Sequence, residues 1–297
     1  MAPVVLSFDQ IVDHARLPDL IRRQSGALVG AFEADPRPTS VFATQQRWLM
    51  AHAALGLYFR SEHRRIVFSD FLNLVARHKV ASRNTAHAFI KEMVQYGLAH
   101  PVDDARDRRT RPVVPGEESL RQIGGWLMLH LATLDGLDDG ARVQAASADA
   151  GVLARVQPLI ADALLTTPSI REPAGTFALF TWLNGGGIVM DRIMTSIPQV
   201  DPAAGRIPTG IASLDQLTGA LPLSRSHLMR KLREAEAMGS LGWENGGDRP
   251  VLWISHGFWR EYAAAQAVKL AIIDRACSAV TGACRIDPVA SPHPLDL

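Results

Sequence analysis

The sequence has few cysteines and no long apolar segment, which argues against a disulfide-rich protein and against a membrane-spanning one. Only Cys277 and Cys284 occur among 297 residues, which excludes a disulfide framework and makes a reducing cytoplasm the expected location. No basic segment followed by an apolar one opens the chain, so we predict no signal peptide. The longest uncharged stretch, 173–190, contains several glycines and is slightly short, so we expect a buried helix rather than a membrane span.

Sequence motifs of common enzymes are also absent. No lysine follows a glycine, which excludes a Gly-x-x-x-x-Gly-Lys-Ser/Thr phosphate loop, and neither Gly-x-Ser-x-Gly nor His-Glu-x-x-His is present. The ten histidines have no metal-ligand spacing with acids or cysteines. The glycines at 185–187 follow no predicted strand, and a close approach between helices explains them better. We therefore predict that the chain is not an enzyme and needs neither a cofactor nor a metal.

Lysine is scarce as well, with only four residues among the 31 basic ones. Arginine suits bidentate contact with phosphate and guanine, although a GC-rich genome also favours arginine codons. The net charge is +1, but the window 60–111 alone holds eleven basic and six acidic residues, so the rest of the chain is net acidic. Such a window is compatible with a nucleic-acid surface, because attraction to phosphates depends on the local potential.

The chain contains a weak internal repeat, recognisable by pattern more than by identity. Two offsets occur, 134 to 135 residues early in the repeat and 142 residues later. The matching positions are 42–61 with 177–196, Ser82-Arg83 with Ser224-Arg225, and Gly97 with Gly239. The change of offset falls in 197–208, a proline- and glycine-containing stretch where an inserted loop would be harmless. The repeat predicts two domains of the same fold.

The first repeat has the pattern of a short helix, a turn, an amphipathic helix and a β-hairpin. Ser69 is a candidate N-cap for the short helix, which ends near Arg77, and Ser82 for the second helix, which Gly97 terminates. The inward face of the second helix is predicted to carry Ala86, Phe89, Ile90 and Met93. The hairpin strands are predicted at 98–102 and 110–114. This order of elements is typical of a winged helix-turn-helix.

The second repeat predicts the same order. Its short helix spans 210–219, and Ser224 caps a helix that runs to Met238, with Leu228, Leu232 and Ala235 inward. Its hairpin strands are 241–244 and 251–254, around a turn Asn245-Gly246-Gly247-Asp248 whose Asn-Gly is typical of hairpins. Further helices are predicted at 8–32 (two, broken near Pro18), 117–134, 152–165 and 256–279.

We therefore predict a mainly α fold with small β wings, in which two winged helix-turn-helix domains pack on a shared helical layer. The expected organisation is N-terminal helices in 1–40, a first winged-helix domain in 41–135, a helical linker in 136–172, a second winged-helix domain with the C-terminal helix in 173–282, and a flexible tail in 283–297. The helices starting at Ser82 and Ser224 would then lie on one side of the molecule, roughly 30–36 Å apart, about one DNA turn.

The candidate DNA contacts follow from the outward faces of the second helices. A recognition helix presents a polar, partly cationic face to the major groove, where Asn can pair with adenine and Arg with guanine. In the first repeat that face carries Ser82, Arg83, Asn84, His87 and Lys91. In the second repeat it carries Ser224, Arg225, Ser226, Met229, Arg230 and Arg233, with Arg249 in the hairpin. A solvated helix face is the alternative interpretation. In the second repeat, Lys231 falls at a position predicted to face inward, so this repeat matches the winged-helix pattern less well than the first.

The first hairpin carries a family resemblance. Asp104-Ala105-Arg106-Asp107-Arg108-Arg109, followed by 113–118, is similar to the wing of MarR-family regulators, and the resemblance covers 67–134. It implies that Arg106, Arg108 or Arg109 contacts the minor groove or phosphates, and we add Arg111 of the same hairpin. Pro115-Gly116 departs from the family's usual Thr-x-x-Gly helix start. The resemblance also implies a homodimer and an effector pocket, for which Trp126, Trp182 and Trp253 are candidates unless they are core residues.

We expect a sequence-specific transcriptional regulator that binds double-stranded DNA with a recognition helix in the major groove and an Arg-rich wing on the minor groove or backbone. The alternatives are a replication initiator of tandem winged-helix type and a protein-binding tandem winged-helix subunit. The expected partners are double-stranded DNA and a small-molecule effector, with no membrane. The chain would act as a monomeric pseudo-dimer or as a homodimer.

Overall fold

A computed structural model describes residues 5–36, 44–102, 111–201, 205–219, 221, 223–246 and 249–281, with only the backbone of Asn245 and Arg249. The protein is mainly helical with two small antiparallel sheets, which confirms the predicted fold class at this level. No helix within these ranges combines the length and the apolarity needed to cross a bilayer. The predicted tail, 283–297, lies outside the described residues.

Fourteen helices and five strands occur in the described ranges. The helices are α1 Phe8–Val12, α2 Leu17–Ala34, α3 Gln45–Arg60, α4 Phe68–Arg77, α5 Arg83–Gln95, α6 Glu117–Asp138, α7 Arg142–Ser147, α8 Val152–Thr166, α9 Pro168–Arg171, α10 Gly175–Thr181, α11 Gly186–Thr195, α12 Leu214–Thr218, α13 Arg225–Ala237 and α14 His256–Thr281. The strands are β1 Ala99–Pro101, β2 Val113–Pro115, β3 Arg206–Pro208, β4 Leu241–Gly246 and β5 Arg249–Ser255. β1 pairs with β2, and the second sheet has the order β3–β5–β4.

One continuous apolar core joins the two halves of the chain. α8 contributes Val156, Ile160 and Leu164, which are fully buried. It packs along α3 so closely that a Cβ on Gly56 would lie 2.8 Å from the Cβ of Ala161. α14 contacts α1, α2, α6 and α8, so the helices outside the repeats pack together. The segment 136–172, expected to be a linker, therefore includes a core helix.

The first unit consists of α4, α5, β1 and β2, with Ile66 bridged to Val113 beside the strands. Ser82 caps α5 as predicted, because its hydroxyl accepts a hydrogen bond from the Thr85 backbone N–H. Gly97 follows the end of α5 with a φ of +71°, a conformation that glycine adopts without strain. The four side chains predicted to face inward are all buried: Ala86, Phe89, Ile90 and Met93.

The start of α4 differs from the prediction. Ser69 is not its N-cap, because the helix begins at Phe68 and the N-cap residue is Val67, whose side chain makes no capping bond. Phe68 packs edge-on against the His87 ring, with the ring centroids 5.0 Å apart. A capping serine contributes only about 1 kcal/mol, which packing of an aromatic ring at the helix start offsets.

The second unit consists of α12, α13, β3, β4 and β5. Ser224 caps α13 as predicted, accepting a hydrogen bond from the His227 backbone N–H. The predicted inward side chains are buried: Leu228, Leu232 and Ala235. The strands extend further than predicted, since Gly246 pairs with Arg249. Asn245 and Gly246 of the predicted turn therefore belong to β4, and 247–248 lie outside the described residues.

The uncharged stretch 173–190 forms two helices, α10 and α11, rather than the single one predicted. Gly185 has a φ of +74°, and a Cβ on Gly186 would collide with the Phe180 carbonyl oxygen. The glycines thus make a tight break between consecutive helices. Trp182, matched in sequence to Trp48 within α3, lies at the end of α10 and is 49% exposed.

Candidate nucleic-acid interface and buried cavity

The outward face of α5 carries the residues predicted for it. Arg83, Asn84 and Lys91 are exposed. The Arg83 guanidinium donates a hydrogen bond to Oδ1 of Asn73 on α4, at 2.9 Å, which fixes one side of the guanidinium and leaves other N–H groups free. His87 is only partly exposed because its ring packs on Phe68. The face is therefore a preorganised polar surface with two cations.

The hairpin that follows α5 is described only at its base. The Val102 backbone N–H donates a hydrogen bond to the Pro112 carbonyl oxygen at 2.9 Å, which closes the two strands. Arg111 is exposed and has a φ of +40°. The other wing arginines lie outside the described residues: Arg106, Arg108 and Arg109. Their role stays a prediction from the sequence.

The helix start after this hairpin explains the departure from the family pattern. Gly116 is the N-cap residue of α6, with an extended backbone and no side-chain cap. A Cβ at this position would lie 2.8 Å from the Gly97 carbonyl oxygen. The close approach between the end of α5 and the start of α6 therefore requires glycine at 116.

Most cations on the outward face of α13 are paired with carboxylates, whereas Arg83 on α5 binds a neutral amide. The Arg225 guanidinium lies 2.7 Å from the Asp215 carboxylate, and Lys231 and Arg230 lie 2.6 and 3.9 Å from Glu234. The Lys231 side chain is 21% exposed, so its ion pair explains a lysine at a predicted inward position. Arg233 is exposed and makes no ion pair with another described residue.

Four further candidates of the second unit have other roles or stay untested. Ser224 is occupied as the cap of α13, and its hydroxyl lies 2.9 Å from that of Ser226. Met229, predicted to face outward, is partly buried and packs against the core, so that prediction is wrong for most of its side chain. The side chain of Arg249 lies outside the described residues.

The two units repeat the same side-chain contact at an offset of 142 residues. Arg83 binds Asn73 and Arg225 binds Asp215, in both cases from the start of the second helix to the helix before it. The capping serines and terminal glycines correspond as well: Ser82 with Ser224, and Gly97 with Gly239. The sequence could not show the chemical difference, which is that the partner is neutral in the first unit and a carboxylate in the second.

A cavity of about 650 Å³ lies between the two units and the helices that join them. Its lining is mainly apolar and includes the inward face of α5 and, from the second unit, Leu221 and Leu223. Of the three tryptophans considered for a pocket, only Trp126 lines it, together with Trp48, which sequence reasoning missed. Trp182 is half exposed, and Trp253 packs under the Arg206 guanidinium.

Polar groups converge on this cavity from α2, α3, α11 and α14. Asp191 accepts hydrogen bonds from the hydroxyls of Tyr262 and Ser25, and burial nevertheless raises the pKa of Asp191 to about 6. Burial lowers the pKa of His52 to about 3, and the charge of Lys269 acts in the same direction. His52 is therefore neutral at pH 7, with its Nδ1 3.0 Å from the Gln157 amide nitrogen.

Lys269 is the unusual member of this group. Burial lowers its pKa to about 8, although the Asp191 carboxylate acts in the opposite direction, so the amine is mostly charged at pH 7. Within the described residues its ammonium makes no hydrogen bond and no ion pair. One sequence signal pointed to it, a single lysine between the apolar residues of a predicted helix.

Comparison with models of known families, with curated proteins and with solved structures finds no match to this chain. Among the described residues, no group of His, Cys, Asp or Glu side chains is arranged to hold a metal ion.

Proposed function

We propose that the chain is a sequence-specific transcriptional regulator that binds double-stranded DNA through tandem winged helices resembling those of MarR-family proteins. The observation that supports this proposal is the repeated unit: two helices followed by two paired strands, in which a capped second helix presents arginine outward. A recognition helix needs this combination of a buried inner face, a fixed start and a cationic outer face.

In this proposal α5 enters the major groove. Asn84 and the free edge of Arg83 face the bases, while Lys91, about two turns further along the helix, faces phosphates. The bond from Arg83 to Asn73 reduces the freedom that the guanidinium loses on binding. The wing arginines then contact the minor groove or the backbone beside the bases that α5 reads.

The second unit binds DNA more weakly in this proposal. Asp215 and Glu234 pair with three of the four Arg and Lys residues on α13. One chain then supplies two unequal reading helices, which makes it a monomeric pseudo-dimer. A protein-binding role for the second unit alone is the alternative that these ion pairs favour. A replication initiator would differ from a regulator only in where it binds, at an origin instead of a promoter.

The wing provides the test of DNA binding. Replacing Arg106, Arg108 and Arg109 together by Gln should weaken binding to all sequences and flatten the salt dependence, because each lost phosphate contact lowers the slope by about 0.9. Fluorescence anisotropy on labelled duplexes between 50 and 200 mM salt measures both quantities.

A control removes equal charge elsewhere. Replacing Arg22, Arg155 and Arg260 by Gln changes three exposed arginines on helices outside the two units. This control should leave the slope close to that of the wild type. A wing variant whose salt slope equals the wild-type slope would contradict the proposed interface.

A further inference from the structure

The cavity between the units has the size and composition of a ligand site. Small-molecule sites usually enclose roughly 300–1,000 Å³ and combine apolar walls with a few polar groups. This cavity encloses about 650 Å³, and its walls include the Trp48, Trp126 and Phe177 rings. A cavity of about 150 Å³ is enough for benzene in another protein, so a single ring would leave most of this space empty.

The polar groups of the cavity leave one cation without an acceptor. Lys269 has three N–H donors and no hydrogen-bond partner among the described residues. The Asp191 carboxylate lies close enough to act on the Lys269 charge, but among the described residues no hydrogen bond or ion pair joins the two, and its Oδ1 accepts from Tyr262 and Ser25. His52 is held neutral beside Gln157. An ammonium among apolar walls is costly until an anion satisfies it.

The other charged residues of the lining are already paired. Arg121 lies at the rim, 68% exposed, and its guanidinium is bound to the Glu118 carboxylate at 2.5 Å. Asp35, the other acid of the rim, lies close enough to Arg121 to act on its charge. The interior therefore offers a single attachment point for an anion, and the rest of the space suits hydrocarbon.

We propose that this cavity binds one organic monocarboxylate with an extended hydrocarbon body, whose carboxylate accepts hydrogen bonds from the Lys269 ammonium. The hydrocarbon packs among the aromatic and aliphatic walls, which reach from Ile66 and Val113 beside the first sheet to Leu221 in the second half. A single site of this kind is shared by both halves of the repeat.

The same ligand would act on DNA binding, and this part rests on the proposed function. Phe89, Ile90 and Met93 line the cavity from the inward face of α5. A hydrocarbon body packed against them fixes the position of α5 relative to the helices that join the two units. Ligand and DNA then influence each other's affinity by an equal factor, as linkage requires.

A series of ligands that differ only in the headgroup tests the site without DNA. Dodecanoate, dodecanol and dodecylammonium, each below its micellar concentration, are titrated into the full chain by isothermal titration calorimetry. Dodecanoate should bind with a dissociation constant at least tenfold lower than the other two. Equal affinity for dodecanoate and dodecanol, or no binding of dodecanoate, overturns the proposal.

The variant Lys269→Met keeps the length of the side chain and removes its charge. It should bind dodecanoate at least tenfold more weakly than the wild type and keep its affinity for dodecanol. The matched control Lys79→Met removes an exposed lysine from the turn before α5 and should bind like the wild type. Unchanged dodecanoate affinity in Lys269→Met overturns the assignment of the headgroup. If that variant does not fold, the titrations of the wild type with the three headgroups still test whether the cavity prefers a carboxylate.

A final titration separates this inference from the proposed function. Anisotropy on the cognate duplex is measured with and without saturating dodecanoate, in the wild type and in Lys269→Met. A change of affinity in the wild type alone supports coupling through the cavity. Ligand binding without any change in DNA affinity contradicts the coupling and leaves the site intact, whereas failure to bind any DNA contradicts the proposed function and not the site.

Discussion

The guanidinium of Arg142 joins α6 to α14 from an almost fully buried position. Its Nε donates to Asp274 at 2.8 Å and one Nη donates to Asp138 at 2.7 Å, while Asp274 also accepts from the Leu6 backbone N–H. Burial opposes the charge, but the bonds to the two aspartates raise the pKa of Arg142 above its usual value. This charge network therefore ties three separate parts of the chain together.

Removing Arg142 should destabilise the protein strongly. The variant Arg142→Met removes the buried arginine charge that pairs with Asp274, which is 0% exposed, and we expect a loss of about 3–5 kcal/mol in the free energy of unfolding. Urea denaturation followed by circular dichroism measures it. The control Arg155→Met breaks an exposed pair with Asp149 and should cost about 1 kcal/mol or less. Equal losses in the two variants would show that the buried charge network contributes no more to the free energy of unfolding than an exposed ion pair.

At the scale of elements, α5 shows why local sequence predicts so much. Its start at Ser82, its terminating Gly97 and its buried face depend on capping, on positive φ and on 3.6-residue periodicity, all of which neighbouring residues determine. The start of α4 depends instead on the contact of Phe68 with His87, and the break before α11 on backbone next to Gly186. Contacts of this kind come from packing, so the sequence prediction failed there.

The proposed reading role of α5 leads to a prediction about Asn84. Replacing Asn84 by Ala should cost about 1–3 kcal/mol on the cognate site and much less on random DNA, because a base contact is lost and phosphate contacts are kept. Anisotropy titrations on both duplexes measure the two losses. The variant Gln199→Ala removes an exposed amide outside the units and should change neither. Similar losses on both duplexes would make Asn84 a backbone contact.

The cavity is formed by elements from the whole molecule and could not be predicted from the sequence. Its walls come from both units and from helices that are distant along the chain, so no local pattern predicts it. The candidate interface was easier to predict from the sequence, since helical periodicity alone placed Arg83, Asn84 and Lys91 on the exposed face of α5. What periodicity could not supply was the electrostatic difference between the units, which depends on whether Asn73 or Asp215 lies under the arginine.

The common core places both units in one rigid frame. α3 packs on α8, α2 on α11, and α14 on helices from both halves, so neither unit has a core of its own. Two similar units in such a frame predict two contacts with DNA at a fixed spacing. Because acidic partners offset the charge of α13, the two contacts should be unequal, and the DNA site should be less palindromic than that of a homodimer.

Hydroxyl-radical footprinting on the cognate duplex should therefore show two protected regions with centres about 10 base pairs apart on one face, one stronger than the other. Replacing Arg225, Arg230 and Arg233 by Ala should erase only the weaker region, whereas Arg83→Ala with Lys91→Ala should weaken the stronger one and, with it, total affinity. Native mass spectrometry should find one chain per duplex, and two chains would indicate a homodimer. A single protected region that the α13 variant leaves unchanged would make the second unit a partner-binding domain, because the arginines of α13 would then have no role on DNA.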